Sequence, residues 1–387
     1  MRIAAHHSLM SGRAFKNANA LKLYLAWRPR RGAHGVDVKG DDHYHVSKLQ
    51  LEISMAELKT TYLGLNIDNP IIAGASALTS NMQTIRRIAE AGAGALVIAS
   101  LFEEQVQFSQ YQLEEDLQRN DNLYAEMTSM FPNVVQAGPQ EHIMWVKRAK
   151  EAVDIPVIAS LNAVNRETWV EYAQVLEGTG VDGLELNFYS LPLDFNINAQ
   201  DVEDELLRTF QDVRSAVKLP LSLKLSSYYT SPLQFIKRLD DAGADGFVLF
   251  NRLFHPKINI EKESNDLSFN LSSPNDHRLA LRFTGLLHGE ISSDICANTG
   301  IHNAGHVIEM IMAGASAVQV VSTLFRNKIE YLQTMKEELA TWMDDKGYNE
   351  VDAFKGKMSK KNNPDPWAYT RAKYVKVLRS PGQYMMK

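Results

Sequence analysis

The sequence predicts an α/β fold, a (β/α)8 barrel with inserted loops over the C-terminal face of its strands. Three observations carry this. A helix-to-strand junction recurs along the chain, eight short apolar runs can be counted, and no glycine-rich dinucleotide fingerprint follows the first run.

The junctions take two forms. Ala91-Gly92-Ala93-Gly94, Gly180-Val181-Asp182-Gly183, Ala242-Gly243-Ala244-Asp245-Gly246 and Ala313-Gly314-Ala315-Ser316 each precede an apolar run. Glycine accepts the left-handed turn just past a helix end. Ala152-Val153-Asp154-Ile155-Pro156 and Ala216-Val217-Lys218-Leu219-Pro220 use proline instead, which stops a helix and can open a strand.

The runs that follow are continuous rather than alternating, as strands buried on both faces of a parallel sheet require. They predict strands over Ile71–Ala75, Leu96–Leu101, Val157–Leu161, Leu184–Tyr189, Leu221–Ser226, Phe247–Asn251, Asp294–Asn298 and Val318–Thr323. Between them the apolar spacing is helical, as in Ile85, Ile88 and Ala89 after a start at Thr79/Ser80, and in Val307, Ile308 and Ile311.

Two insertions, Glu103–Glu141 and Arg252–Asn275, follow the second and sixth runs, where βα loops cover the mouth of a barrel. Three segments are expected: a leader over 1–54 outside the fold, a barrel over 55–347, and an extension over 348–387 that packs on the barrel or on a partner. The leader holds His6, His7, His34, His43 and His45 without repeated ligand spacing, and its apolar stretch Leu21–Trp27 is too short for a secretory signal.

Composition excludes several function classes. Lysine and arginine number 41 against 46 acidic residues, a formal net charge of -5 that calls for neither nucleic acid nor an anionic membrane. The single cysteine, Cys296, permits no internal disulfide and cannot hold an iron–sulfur cluster, which suits a cytoplasmic protein. No apolar run reaches membrane-spanning length.

Chemistry is sought where polar residues end buried strands, because burial there costs free energy unless a ligand or network satisfies them. Ser100, Ser160, Asn162, Asn187, Lys224, Ser226, Asn251, Asn298, Thr299, Ser322 and Thr323 form such a set. Any one serine or asparagine is explained by a bond to a neighbouring loop; a ring of them is not.

Lys224, in Leu221-Ser222-Leu223-Lys224-Leu225-Ser226, needs an anionic partner. Three readings stand: an ion pair with Glu185, a Schiff base in a lyase barrel, or a cation at the N1/O2 edge of a flavin. Asn298-Thr299-Gly300 and Val321-Ser322-Thr323 end the last two strands and can cradle a phosphate. Ser190, just past the fourth strand, can accept a proton through a polar relay or merely cap its loop; no adjacent histidine supports a hydrolase triad.

Taken together, the segments from Met55 to about Lys357 resemble the dihydroorotate dehydrogenase family. Asn69-Pro70-Ile71-Ile72-Ala73-Gly74-Ala75-Ser76 is similar to its first strand and small-residue turn, Leu186-Asn187-Phe188-Tyr189-Ser190 to its Asn-Leu-Ser-[Cys/Ser]-Pro-Asn segment, and Leu271-Ser272-Ser273-Pro274 to its Leu-Ser-Gly-Pro turn. The resemblance implies FMN held by Gly74, Ala75, Ser100, Asn187, Lys224, Phe250, Ser273, Thr299, Gly300, Val321 and Ser322. It implies a small-molecule substrate on Asn187 and Asn251, and a homodimer. Ser190 would take a proton from one carbon of a saturated C–C bond while its neighbour gives hydride to flavin N5, with Lys224 steadying the reduced ring.

The chain departs from the family pattern at three places. Ala99 stands where the family has a lysine touching flavin and substrate carboxylate, Pro192 replaces a pyrimidine-binding asparagine, and Val134–Pro139 lacks an asparagine loop. The implied substrate is therefore dihydroorotate or a related small molecule of different charge. A Schiff-base lyase using Lys224 and a non-catalytic FMN-binding protein are the alternatives.

Overall fold

In the computed structural model, residues 56–103, 140–188, 194–253, 255–266, 271–365 and 367–379 are described. The leader over 1–54, most of the first insertion and Ser190 lie outside them.

Eight parallel strands close into a ring. In chain order they are β3 (Ile71–Ala73), β4 (Ala95–Val97), β6 (Val157–Asn162), β7 (Gly183–Asn187), β8 (Leu221–Leu225), β9 (Gly246–Leu249), β12 (Asp294–Ala297) and β13 (Ala317–Val320). Each pairs with its successor, and β13 returns to β3 through Val318 opposite Ile71 and Val320 opposite Ala73. The expected barrel is thus the observed one.

Short strands decorate the ring. β1 (Thr60–Tyr62) and β2 (Leu65–Ile67) form a hairpin, β5 (Leu101–Phe102) adds beside the end of β6, and β10 (Lys257–Asn259) pairs with β11 (Ser264–Asp266) inside the second insertion. The hairpin belongs to an inner core with Ile72, Val97, Ile158, Val248 and Cys296. Its Leu63 lies so close to the start of β9 that a Cβ on Gly246 would sit 2.6 Å from Leu63 Cδ2. Lacking a side chain there lets the hairpin plug the N-terminal end of the barrel, so chemistry is left to the other end.

The outer layer consists of α1 (Met82–Glu90), α2 (Gln140–Glu151), α3 (Arg166–Glu177), α4 (Ala199–Ala216), α5 (Pro232–Asp241), α6 (His277–Leu287), α7 (Ala304–Ala313), α8 (Ser322–Asn327) and α9 (Tyr331–Lys346). Their apolar faces join one large cluster with the outward faces of the strands. Along the tail, Gly356 and Met358 donate backbone bonds to Ile311 and Met312 of α7, and Lys360 donates to Gly285 of α6. α10 (Arg371–Leu378) follows.

Boundaries differ from expectation where capping decides them. The first helix starts at Met82, not Thr79/Ser80, because the Asn81 side chain accepts from the Gln83 and Thr84 amides. Ser76 and Thr79 instead cap each other across a 3-10 turn. The second run divides into β4 and β5 around Ile98–Ser100, and the last strand stops at Val320 because Ser322 begins α8.

Candidate active site at the barrel mouth

Strand register brings the predicted polar residues to one end. Asn187 closes β7 opposite Lys224 on β8, and Lys224 lies opposite Val248 on β9. Their side chains then form two connected groups.

The first is inside the barrel. Lys224 Nζ lies 3.2 Å from Glu185 Oε1 and 3.1 Å from Gln319 Oε1. Gln319 Nε2 donates to Glu185 Oε2, closing a ring of three side chains from β7, β8 and β13. Lys224 is 6% exposed, Glu185 and Gln319 1% each. Removing either charged member would strand the other charge in the interior, at about 3–5 kcal/mol. The Tyr62 hydroxyl and Cys296 thiol lie beneath; burial first, then neighbouring charges including Glu185, push both well above their ordinary ionisation range. They remain neutral.

The second group lines the rim. Ser100 and Ser160 share a 2.7 Å hydroxyl bond. Asn162 Nδ2 donates to the Asn187 carbonyl at 2.7 Å, and Asn251 Nδ2 donates to Asn187 Oδ1 at 2.8 Å. Hydroxyls and amides, able both to give and to take hydrogen bonds, therefore line this rim. On the β3 side, a Cβ on Gly74 would fall 2.9 Å from Val321 Cγ2 and 3.2 Å from Gln319 Oε1. Gly74 thus keeps the turn before half-buried Ala75 tight against β13.

At the ends of β12 and β13 the turns interlock. Asn298 Nδ2 and Thr299 Oγ1 both donate to the Phe250 carbonyl, at 3.0 and 2.9 Å. Thr299 and Gly300 have positive φ, +71° and +79°, and a Cβ on Gly300 would meet His277 N at 2.2 Å. Ser272 N donates to Ser322 Oγ at 2.9 Å, and Gly300 N donates to Ser272 Oγ at 3.3 Å.

Basic groups gather behind these turns. His302 Nε2 lies 3.2 Å from Ser272 Oγ, and Arg326 donates to the Ser272 carbonyl. His277 and His306 stack with centroids 4.2 Å apart. Burial, aided by Arg326, holds His302 below the usual imidazole range; burial and His277 do the same for His306. Arg252 reaches Asp276 at 2.7 Å. Burial opposes ionisation of Asp276, but the Ser273 amide and hydroxyl and the Arg252 guanidinium outweigh it and hold the carboxyl low.

The structure thus gathers Gly74, Ser100, Asn187, Lys224, Asn251, Thr299, Gly300, Val321 and Ser322 at one end of the barrel. Two expectations shift. Phe250 turns its ring outward against Phe283 of α6, 5.1 Å away, and offers the rim its carbonyl. Ser273 is exposed, with its amide and hydroxyl on Asp276, so buried Ser272 is the serine that faces both turns.

Sequence reading passed over Ser272, His302 and Gln319. Gln319 had a signal, since an amide interrupting Ala317-Val318-Gln319-Val320 must be satisfied inside. Among the described residues no group of His, Cys, Asp or Glu is placed to hold a metal, and no helix is long and apolar enough to cross a membrane.

Comparison with known proteins gives a consistent match. A family model described as dihydroorotate dehydrogenase matches residues 124–343, more than half of the chain. The catalytic subunit of dihydroorotate dehydrogenase B (NAD(+)) from Thermoplasma volcanium is 28% identical over 307 residues, covering 78% of this chain and 98% of that protein. The Thermoplasma acidophilum protein of the same name is 26% identical over 78% of this chain and 99% of its own. Dihydroorotate dehydrogenase A (fumarate) from Lactobacillus helveticus is 29% identical over 215 residues, 53% of this chain and 68% of that protein.

Proposed function

The chain belongs to the dihydroorotate dehydrogenase family, and from that premise we propose that its barrel mouth binds FMN and oxidises dihydroorotate, or a closely related dihydro-substrate, to the unsaturated product. It is an FMN-dependent oxidoreductase acting on a CH–CH bond, and family membership sets aside the Schiff-base reading of Lys224.

The residues present fit FMN on three counts. The Gly74 turn approaches β13 so closely that any side chain there would collide, leaving backbone and small residues on that side of the mouth. Lys224 supplies a cation on β8, held by Glu185 and Gln319, and the Asn187 and Asn251 amides at the rim add donors and acceptors of the kind a flavin's pyrimidine edge offers. The Ser272 and Ser322 hydroxyls and the Arg326 guanidinium lie at the two turns expected to meet a phosphate. Gly74, Ala75, Ser100, Asn187 and Lys224 would hold the ring, and Ser272, Thr299, Gly300, Val321 and Ser322 the phosphate.

When bound, FMN supplies a two-electron acceptor beside the substrate. The protein's part is orientation and proton transfer. Asn187 and Asn251, tied to each other, orient the substrate's polar edge. Ser190, three residues beyond the end of β7 and outside the described residues, takes the proton. Its role rests on the resemblance of Leu186–Ser190 to the family's segment. Lys224, buried and paired with Glu185, stabilises negative charge that develops at the mouth.

The observation that carries this reading is the buried Lys224 ammonium on β8, in register with Asn187 of the Asn187–Asn251 pair at the mouth. Oxidation of dihydroorotate would place the protein in pyrimidine biosynthesis. The relatives matched along nearly their whole length are named as NAD(+)-linked catalytic subunits, which supports NAD(+) as eventual acceptor through a second subunit. A homodimer follows from the family resemblance, and a cytoplasmic location suits a single, buried cysteine.

Anaerobic titration of the purified yellow protein with dihydroorotate tests the reading, with bleaching of the flavin band expected. Bleaching by a related dihydro-compound alone would keep the enzyme class and change the substrate. Protein that carries no flavin, or flavin that no dihydro-compound reduces, would overturn it in favour of the alternatives.

A further inference from the structure

The ring of Lys224, Glu185 and Gln319 does more than satisfy a buried cation. An ammonium has three N–H donors. Glu185 and Gln319 accept two of them, from the neighbouring strand and from across the barrel. Gln319 also donates to Glu185, so one amide fixes both partners at once. The same amide oxygen lies beneath the Gly74 turn, 3.2 Å from where a Cβ would stand. With two donors engaged inside, one N–H of Lys224 has no partner among the described residues.

Stability alone does not call for this arrangement. A buried ion pair can often be replaced by packed apolar residues at no loss, because desolvation offsets the attraction. The surrounding inner cluster of Tyr62, Ile72, Val97, Val248 and Cys296 shows that this interior accepts apolar packing.

We propose that Glu185 and Gln319 are positioning residues that aim the Lys224 ammonium at the bound flavin and, through its charge balance, set the flavin's reduction potential. The inference rests on the FMN reading above. Glu185 neutralises Lys224 within the barrel, so the protein adds little net charge beneath the ring. Gln319 fixes direction without adding charge. The other titratable groups facing the pair are Tyr62, Cys296 and Asp294. The first two are neutral, and Asp294 is engaged by the Leu63 amide and the Ser316 hydroxyl.

The test is the flavin midpoint potential of the holoprotein across pH, measured spectroelectrochemically for wild type, Glu185→Gln and Gln319→Met. Glu185→Gln removes a negative charge that opposes electron uptake. The potential is expected to shift positive throughout, and that result supports the proposal.

Gln319→Met keeps both charges and the side-chain length but loses the aim, so its potential shifts negative. Folded, flavin-loaded variants with the wild-type potential and the wild-type pH slope would overturn the proposal and leave the FMN reading intact. Wild-type protein without flavin would overturn the parent reading and this one with it.

Discussion

Asn251 Nδ2 donates to Asn187 Oδ1 at 2.8 Å, joining the ends of β9 and β7 across β8. Asn187 is otherwise held by its carbonyl, which accepts from Asn162. The two side chains therefore act as one unit. Asn251→Ala is expected to lower kcat/KM for the dihydro-substrate by about 10- to 100-fold, the effect of about 1–3 kcal/mol from one lost polar partner. Asn187→Ala should do at least as much. Their combination should cost less than the product of the two effects, because each single change already breaks the pair. A strictly multiplicative double variant in steady-state assays would show that the residues act separately.

Gly74 gives a second prediction, with a built-in rescue. A methyl there would press on Val321 Cγ2 at 2.9 Å, a side-chain atom rather than backbone. Gly74→Ala should lose bound flavin and about 1–3 kcal/mol of stability through overpacking. Val321→Ala removes the opposing methyls, so the double variant should regain part of both. Flavin absorbance per protein and urea unfolding report the two losses. No recovery in the double variant would mean that the first effect is not steric.

Much of this architecture was legible in the sequence, for a specific physical reason. Strands buried on both faces carry unbroken apolar runs, so all eight show as Ile71–Ala75 or Leu221–Ser226 do, and Lys224 is conspicuous within one. Pairing across the ring is set only when the barrel closes, so Gln319 does not announce Glu185 and Lys224 as its partners. Choices between adjacent residues were illegible too. Thr79, Ser80 and Asn81 can all cap a helix, and it is the Asn81 oxygen that meets two amides. Ser272 and Ser273 are chemically identical neighbours, and Asp276 decides between them by taking the polar groups of Ser273. The extent of β4 was overstated because apolar residues continue past Val97, and that of β13 because the chain after Val320 turns at once into α8.

Gly300 is the position in the β12 turn where a side chain has no room at all. Its φ is +79°, and a Cβ would stand 2.2 Å from the backbone nitrogen of His277, which begins α6. Backbone cannot rotate away as a side chain can. Gly300→Ala should therefore lower the melting temperature and weaken FMN retention together, by about 1–2 kcal/mol for the left-handed conformation alone and more for the clash. Thr299 shares the positive φ but earns its place through its hydroxyl bond to Phe250. Thr299→Val, which keeps the shape and removes that bond, should loosen the turn by about 1 kcal/mol. Dialysis against buffer, following flavin release, measures both. Unchanged release in Gly300→Ala would contradict a phosphate-holding role for this turn.

Acid should destabilise the fold in part through His142 on α2. Burial pushes its imidazole down to about 4, and its Nε2 is buried without a hydrogen-bond partner. The unfolded chain protonates it near pH 6.5, so between about 6.5 and 4 the unfolded state binds the extra proton. Stability attributable to this group is then whole above pH 6.5, falls as pH drops, and is gone once the folded imidazole is itself protonated. The loss is at most about 3 kcal/mol. Burial lowers His302 and His306 as well, adding in the same direction. His142→Leu removes both the titration and the unpartnered nitrogen. Its unfolding free energy should decline less than wild type between about pH 7.5 and 4.5, and should equal or exceed wild type at the upper value. Parallel declines in the two proteins, measured by urea denaturation at each pH, would show that His142 is protonated without penalty in the folded chain.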